Sequence, residues 1–295
     1  MDFPATWPLA LQSYFHSHYG SCATIASLRG LSHNQVWHIT FHATSLIVKH
    51  TMRPAEAMFY RVVAPALRAH GIGLPDLDWF HIEDESYWLV LEYIPKPLPR
   101  TRWLADPGAL ALLHRLHHCV LPPITLPLFH PEWTDRLTRQ ALTHFTVAES
   151  IMLAALLQHL QAISQPLFQP SCWISGDPNA MNWGLRENGS LVLYDWERFG
   201  RGTPALDLAI TVPGLGDWTA FEQVAERYLA AVGPTETTTH ELQHLTQSIA
   251  LAKVWNVLEF LSMAATGHVA QMSGVPLIVQ QLPQWLPTIA TQIRS

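Results

Sequence analysis

Between residues 22 and 93 the apolar positions come in short bursts. ATIASLRG, QVWHITFH, SLIVKHTM, DLDWFHI and YWLVLEYI are rich in β-branched and aromatic residues and are separated by Gly, Asn and Ser, which predicts five short strands. Between the third and fourth, RPAEAMFYRVVAPALRAHG changes to helical spacing, with Pro54 near its start and Gly71 just past its end. Pro65 inside that run predicts a kink or an early stop, because proline removes a backbone donor and crowds the preceding turn. This half reads as a small antiparallel sheet with one helix.

After PKPLPR the period changes. Residues 106–119, 131–165, 204–232 and 239–268 repeat apolar positions at helical spacing, and 276–294 do so less clearly. Only the stretch around 172–195 reads as strand in this half. Strands first and helices afterwards predict an α+β chain of two lobes, with residues 1–92 in the first, 93–100 as the connection and 101–295 in the second. There is no internal repeat and no low-complexity segment.

Composition sharpens this picture. Charged residues make up 14% of the 295, against roughly 25% in a typical soluble protein, so each carboxylate in an apolar setting is informative. A net charge of −6 argues against a nucleic-acid partner, which needs a basic patch, and suits a cationic small molecule as well as ordinary solubility. Cys22, Cys119 and Cys172 are too scattered for a disulfide framework or a zinc site and fit a reducing compartment. MDFPATWPLALQ has no basic region or long apolar run, and SIALAKVWNVLEFLSMAA is interrupted by Lys253 and Glu259. The first argues against a signal peptide and the second reads as a buried helix, so the expectation is a cytoplasmic protein with no membrane partner.

The chemistry is concentrated in SGDPNAMNWGLRENGSLVLYDWE. Glu187-Asn188-Gly189 signals a turn between two short strands, and counting outward from it brings Asn182 and Asp195 to the same open end. Asp177 lies five residues before Asn182, in a loop opened by Gly176 and Pro178. Asp and Asn also cap ordinary turns. Yet an amide and a carboxylate oxygen, beside a second carboxylate that can accept a proton, are what Mg²⁺-assisted phosphoryl transfer requires.

SGDPNAMN, YDWE and GRGTPALDLA together resemble the aminoglycoside phosphotransferase and choline kinase family, small-molecule kinases with a bilobal protein-kinase-like fold. The resemblance implies a nucleotide-binding first lobe and a catalytic, acceptor-binding second lobe. It implies Asp177 as the catalytic residue, Asn182 and Asp195 as Mg²⁺ ligands, and Asp207 as the brace of the catalytic loop. SLIVK places Lys49 on the phosphates of ATP, with Glu56 as its ion-pair partner. LRGLSHN matches the phosphate-side loop, with Gly30 and Asn34 at corresponding places. LVLEYIP matches the segment where backbone groups of Glu92, Tyr93 and Ile94 meet adenine. ALLHRLHH resembles the helix that carries a Leu-His pair. ATP and Mg are the implied cofactors, and a small-molecule hydroxyl is the implied acceptor.

The sequence also departs from the family pattern. Ser175 stands where the family has His, the phosphate-side loop has one glycine where relatives often have two, and Glu197 replaces a Gly. Glu197 is a candidate second carboxylate at the metal or a substrate ligand. Asp217, Trp255 and Glu259 lie in helices where the family builds its acceptor pocket, and each competes with an ordinary reading as surface charge or core. The same holds for Trp183, Trp196 and Trp218, for which core packing outweighs an aromatic cage. His114, His117 and His118 share a helix but lack the further ligands a metal site needs.

Two functions compete with a kinase acting on an antibiotic, choline-like alcohol or amino sugar. A protein kinase is disfavoured, because eleven residues between Asp195 and Asp207 leave no room for an activation segment and no Ala-Pro-Glu follows. The alternative is a catalytically weak kinase-fold protein that serves as a small-molecule binding module, suggested by Ser175 and the glycine-poor loop.

Overall fold

A computed structural model describes residues 3–28, 35–231, 238–267 and 274–294. Gly30 and Asn34 lie outside the described residues. The chain divides into two compact units, one of residues 1–97, 121–127 and 184–197, the other of 98–120, 128–183 and 198–295.

The first unit is built on a five-stranded antiparallel sheet of order β1-β2-β3-β5-β4. Its strands are β1 (Thr24–Leu28), β2 (Gln35–Thr40), β3 (Ser45–Thr51), β4 (Leu77–Glu83) and β5 (Ser86–Glu92). These are the five bursts of β-branched and aromatic residues, and the central pairing sets Val48 opposite Val90 and Lys49 opposite Leu89. Helix α1 (Leu9–His18) has no counterpart in the sequence reading. Its Leu11 and Phe15, one turn apart, are fully buried in a cluster with Ile39, Val48 and Val90. Each such side chain contributes roughly 1.5–3 kcal/mol by leaving water, which holds a helix whose propensity alone would not sustain it.

The helix between β3 and β4 is not continuous. It runs as α2 (Pro54–Met58), a π-helical turn Phe59–Val63, and α3 (Ala64–Ala69). Pro65 sits in the first turn of α3, where its missing N–H is tolerated, so the wider turn absorbs the kink and the helix continues.

Residues 184–197 belong with the first unit rather than with the rest of 101–295. The hairpin forms from β8 (Trp183–Leu185) and β9 (Leu191–Leu193), and β6 (Lys96–Pro97) adds beside β8 with Pro97 opposite Gly184. Leu193 N–H also donates to Gly73 O at 2.9 Å. Gly189 takes φ +82° in the turn, as the Asn-Gly pair predicts.

The second unit holds α4 (Pro107–His118), α5 (Asp135–Leu142), α6 (Val147–Ile163), α7 (Pro204–Ile210), α8 (Trp218–Ala230), α9 (Thr239–Ala265) and α10 (Gly274–Arg294). Strands β7 (Cys172–Ile174) and β10 (Gly200–Gly202) pair antiparallel within it. The expected run 131–165 is two helices, because Thr146 opens a new one through a capping box with Glu149. The run 204–232 also divides, at Pro213, Gly214 and Gly216, before Asp217 caps α8. Helix α9 is the core of this unit, packed against α5, α7 and α8. It is the one helix among the described residues long and apolar enough to cross a membrane, and 67% of that apolar window is buried inside the protein.

Candidate active site

In the first unit Lys49, Glu56, Asp195 and Glu197 form one electrostatic group. Lys49 leaves β3 near its end, and Glu56 lies on α2, one short connection later. Both are buried, and their side chains form an ion pair. Burial opposes the charge of Lys49, but the carboxylates of Glu56 and Asp195 outweigh it and raise its pKa, so the ammonium persists. Burial pushes Glu56 up, to about 7, with Lys49 pulling the other way and Asp195 and Glu197 adding repulsion. Three carboxyl groups around one ammonium suit a cationic partner.

Asp195 stands two residues past β9 with φ +69°, in the left-handed region that costs an L-residue about 1 kcal/mol. Strain of this kind collects at functional positions. Its Oδ1 is buried and accepts no hydrogen bond among the described residues, with Lys49 Nζ 3.7 Å away. A carboxylate oxygen without a hydrogen bond in a crowded acidic group is the donor a hard cation takes, and the chemistry of Asp195 fits Mg²⁺.

Glu92 is more committed than its expected role requires. Arg186 grips its carboxylate with two bonds of 2.6 and 2.7 Å, and Glu92 N–H donates to Asp76 O at 2.9 Å. The Glu92 amide is therefore not a free donor for a base. Tyr93 stacks on His38 at 4.1 Å, and Ile94 packs over Gly184, where a Cβ would collide with it.

In the second unit the loop 175–182 carries Asp177 and Asn182. Asn179 Nδ2 donates to Asp177 Oδ1 at 2.9 Å, while Asn182 Nδ2 donates to Asp177 O at 2.9 Å and Oδ2 at 3.2 Å. These bonds fix the Asp177 carboxylate and turn the Asn182 amide so that its Oδ1 is the end left for another partner, again an oxygen donor suited to Mg²⁺. Asn179 also caps the turn through Met181 N, and Trp183 Nε1 donates to Pro178 O at 3.0 Å.

The loop hangs from Asp207. Its two carboxylate oxygens accept from Ser175 N at 2.8 Å and Gly176 N at 2.9 Å, and His117 Nε2 donates to Oδ2 at 3.1 Å. His117 Nδ1 in turn meets the Tyr228 hydroxyl at 2.8 Å. Asp207 and His117 are both buried. Ser175 contributes its backbone only; its Oγ is buried without a hydrogen-bond partner among the described residues. Gly176 takes φ +79°, and a Cβ there would overlap the Arg198 carbonyl, so glycine is required.

The remaining candidates are occupied by structure. Asp217 accepts from Ala220 N at 2.8 Å as the N-cap of α8, and Trp255 is 1% exposed with its Nε1 donating to Glu132 O. Glu259 is paired with Arg198 at 2.5 Å, and Arg198 lies over the Phe129 ring at 4.2 Å. Glu259 is thus already neutralised. Trp183 and Trp196 are buried in the core. Sequence reasoning missed Asn179, Arg186, Arg198 and Tyr228. It placed His117 only as part of a helix pattern, although ALLHRLHH was the available signal.

The sequence profile of the phosphotransferase enzyme family (APH) matches residues 24–245. A search of curated proteins finds no match. Among solved structures, the chain is similar to a microcompartment-associated aminopropanol kinase at TM-score 0.67 and 14% identity, covering 97% of this chain and 100% of that one. It is similar to spectinomycin phosphotransferase APH(9)-Ia, solved with ADP and spectinomycin, at TM-score 0.63 and 13% identity over 99% and 94% of the two chains. It is also similar to aminoglycoside phosphotransferase APH(4)-Ia, solved with ADP and hygromycin B, at TM-score 0.61 and 14% identity over 95% and 97%. The fold is that of these kinases. With three quarters of its length inside the matching profile, the chain belongs to the phosphotransferase enzyme family.

Proposed function

We propose that this protein is an ATP- and Mg²⁺-dependent kinase that phosphorylates a hydroxyl of a small, amine-bearing molecule. The observation that carries the reading is Asp177, a carboxylate fixed by two asparagine amides on a loop braced by Asp207. Such a group orients an acceptor hydroxyl and takes its proton as the oxygen bonds to the γ-phosphorus. The bond from that phosphorus to the β–γ bridging oxygen breaks, and ADP leaves. Lys49, kept charged and oriented by Glu56, holds phosphate oxygens. Asn182 and Asp195, with Glu197 as a further carboxylate, are the proposed metal ligands. Mg²⁺, when bound, neutralises phosphate charge and orients the phosphates. Tyr93 and Ile94 supply the backbone contacts to adenine. Catalysis in this reading is positioning and electrostatics, which a braced loop provides.

The compounds named for the similar kinases, spectinomycin, hygromycin B and aminopropanol, are hydroxyl compounds that also carry nitrogen. The net charge of −6 suits a cationic acceptor of that kind. The pairing of Glu259 with Arg198 takes the strongest acidic candidate out of the acceptor set.

The second reading, a binding module with little activity, rests on Ser175 and its unpartnered Oγ. The backbone bonds to Asp207 weaken it, since the loop is held without an imidazole at 175. The deciding experiment is ADP release with Mg²⁺-ATP against pooled acceptors: aminoglycosides, other cationic antibiotics, amino alcohols and amino sugars. Asp177→Asn runs beside the wild type. Release in one pool that vanishes in the variant supports the kinase. Acceptor binding with no Mg²⁺-ATP affinity overturns it in favour of the binding module.

A further inference from the structure

A cavity in the second unit has no residue of the loop 175–182 in its lining. It has a volume of about 480 Å³ and is walled by α4, α8 and the first turns of α9. That is within the range of roughly 300–1,000 Å³ typical of small-molecule sites. Four of its lining side chains are imidazoles, those of His114, His118, His240 and His244, and the phenol of Tyr228 completes an aromatic wall. The rings of His114 and His118 stack at 4.0 Å, and His114 lies 5.3 Å from Tyr228. Pro204, Leu229 and Leu245 supply apolar surface.

The charges at this cavity select a class of ligand. Glu241 is the one carboxylate in its lining, and it is spent on the capping box of α9, where its Oε2 accepts from Thr238 N and Oγ1 at 2.9 Å. Among the described residues no lysine or arginine lines the cavity, so a polyphosphate would lack compensation. A single negative charge would not, because imidazole N–H groups donate hydrogen bonds to a carboxylate and the first turn of α9 carries a partial positive charge. His114 adds an independent observation: its Nε2 is buried with no hydrogen-bond partner among the described residues. A buried ring nitrogen costs free energy until something bonds to it. Burial, together with His118, His117 and Arg115, holds His114 below the usual imidazole range, so it meets a ligand as a neutral hydrogen-bonding ring. A metal does not fit, since no group of three His, Cys, Asp or Glu is arranged to hold one among the described residues.

We propose that the cavity lined by His114, His118, Tyr228, His240 and His244 is a second small-molecule site, for a compound with a one- or two-ring aromatic body and a single carboxylate. The rings stack on the imidazole and phenol wall, and the carboxylate takes hydrogen bonds from the exposed histidines. This site is separate from the proposed acceptor chemistry and does not depend on it.

The test is isothermal titration of the full chain, without nucleotide, using 4-hydroxybenzoate and indole-3-carboxylate, with the matching carboxamides and benzylamine as controls. Saturable binding is expected for the carboxylates, weaker by about tenfold for the amides, which is 1.4 kcal/mol. The double variant His118→Leu/His244→Leu changes two exposed positions, so it should fold, as circular dichroism will show, and should lose at least as much affinity. Carboxylates that fail to saturate overturn the proposal. So does binding that survives in the double variant, or benzylamine binding as well as the acids. Because binding is read without turnover, the outcome stands whether or not the kinase assay succeeds.

Discussion

Replacing Lys253 by Met should make the stability of this protein less dependent on pH. Lys253 is fully buried in α9, and its Nζ donates to Ala209 O at 3.2 Å and Val212 O at 2.6 Å, at the C-terminal end of α7. A neutral amine has two N–H donors, which matches those two carbonyls. Burial with no compensating carboxylate lowers its pKa from 10.5 to about 7. Between those values the unfolded chain carries one proton more than the folded one, so stability rises with pH through this window and falls as pH drops toward 7. The full shift corresponds to roughly 5 kcal/mol, at about 1.4 kcal/mol per unit. Met fills similar volume without the amine and leaves Val212 O unpaired, a pH-independent cost of about 1–3 kcal/mol. Urea unfolding between about pH 7.5 and 9.5 should therefore show the wild type gaining roughly 3 kcal/mol relative to Lys253→Met. Taking the difference between the two proteins cancels every other titrating group. Parallel curves across that range would refute the reasoning, and Lys253 would then be charged in the fold.

Three further outcomes follow from the second unit. Asp207→Asn replaces one of two acceptor oxygens with a donor that faces Ser175 N or Gly176 N; a loss of about 2–3 kcal/mol is expected, with kcat falling more than KM for nucleotide. Gly176→Ala must adopt φ +79° and press a Cβ into the Arg198 carbonyl, so it should cost more than about 1 kcal/mol by thermal unfolding and slow turnover, whereas Gly214→Ala, in open space, should cost only its backbone strain. Glu259→Gln removes the carboxylate charge that Arg198 Nη2 bonds beside Phe129 and should cost between about 1 and 3 kcal/mol, with part recovered in Arg198→Met/Glu259→Leu; a larger loss in the double variant would show that the pair is not the interaction being removed.

The sequence made the loop legible because its chemistry is local. Asp177 and Asn182 are five residues apart, their bonds run within the same loop, and Asn188-Gly189 marks the hairpin that follows. The five strands were legible for a similar reason, since each is a burst of β-branched and aromatic residues between turn formers. Helix α1 was not, because its two core residues, Leu11 and Phe15, are spaced among polar positions and have meaning only against strands that come later. The ion pair of Glu259 was hidden for a different reason. The place of Glu259 in an apolar helix made it an acceptor-pocket candidate weighed against a surface charge, and its partner Arg198, 61 residues away, could not be read from that pattern. Lys253 looked like an interruption in an apolar helix, and its partners are backbone carbonyls that no residue type announces. Pattern finds groups that act through neighbours in the chain and misses those paired across the fold.

Two of the charges buried in the second unit, Asp207 and Lys253, share one mechanical task. Helix α7 has seven residues, too short to hold its own shape in water, and Ala205 to Ile210 are all buried. Near its start Asp207 carries the loop through two backbone amides, and past its end Lys253 holds the carbonyls of Ala209 and Val212. Lys253 belongs to the 27-residue helix α9, so the longest element of the unit fixes the short helix from which Asp177 is suspended. A change at Lys253 should thus be felt at the loop without touching any reacting group. Hydrogen exchange at the Ser175 and Gly176 amides would report it, because both are protected only while Asp207 stays in place. If α9 sets the position of α7, these two amides exchange faster in Lys253→Met, while Ser171 N–H, bonded to Gly202 O at 3.0 Å, keeps its rate. Equal acceleration of all three would mean that the unit loosens as a whole, and that the loop has no support of its own.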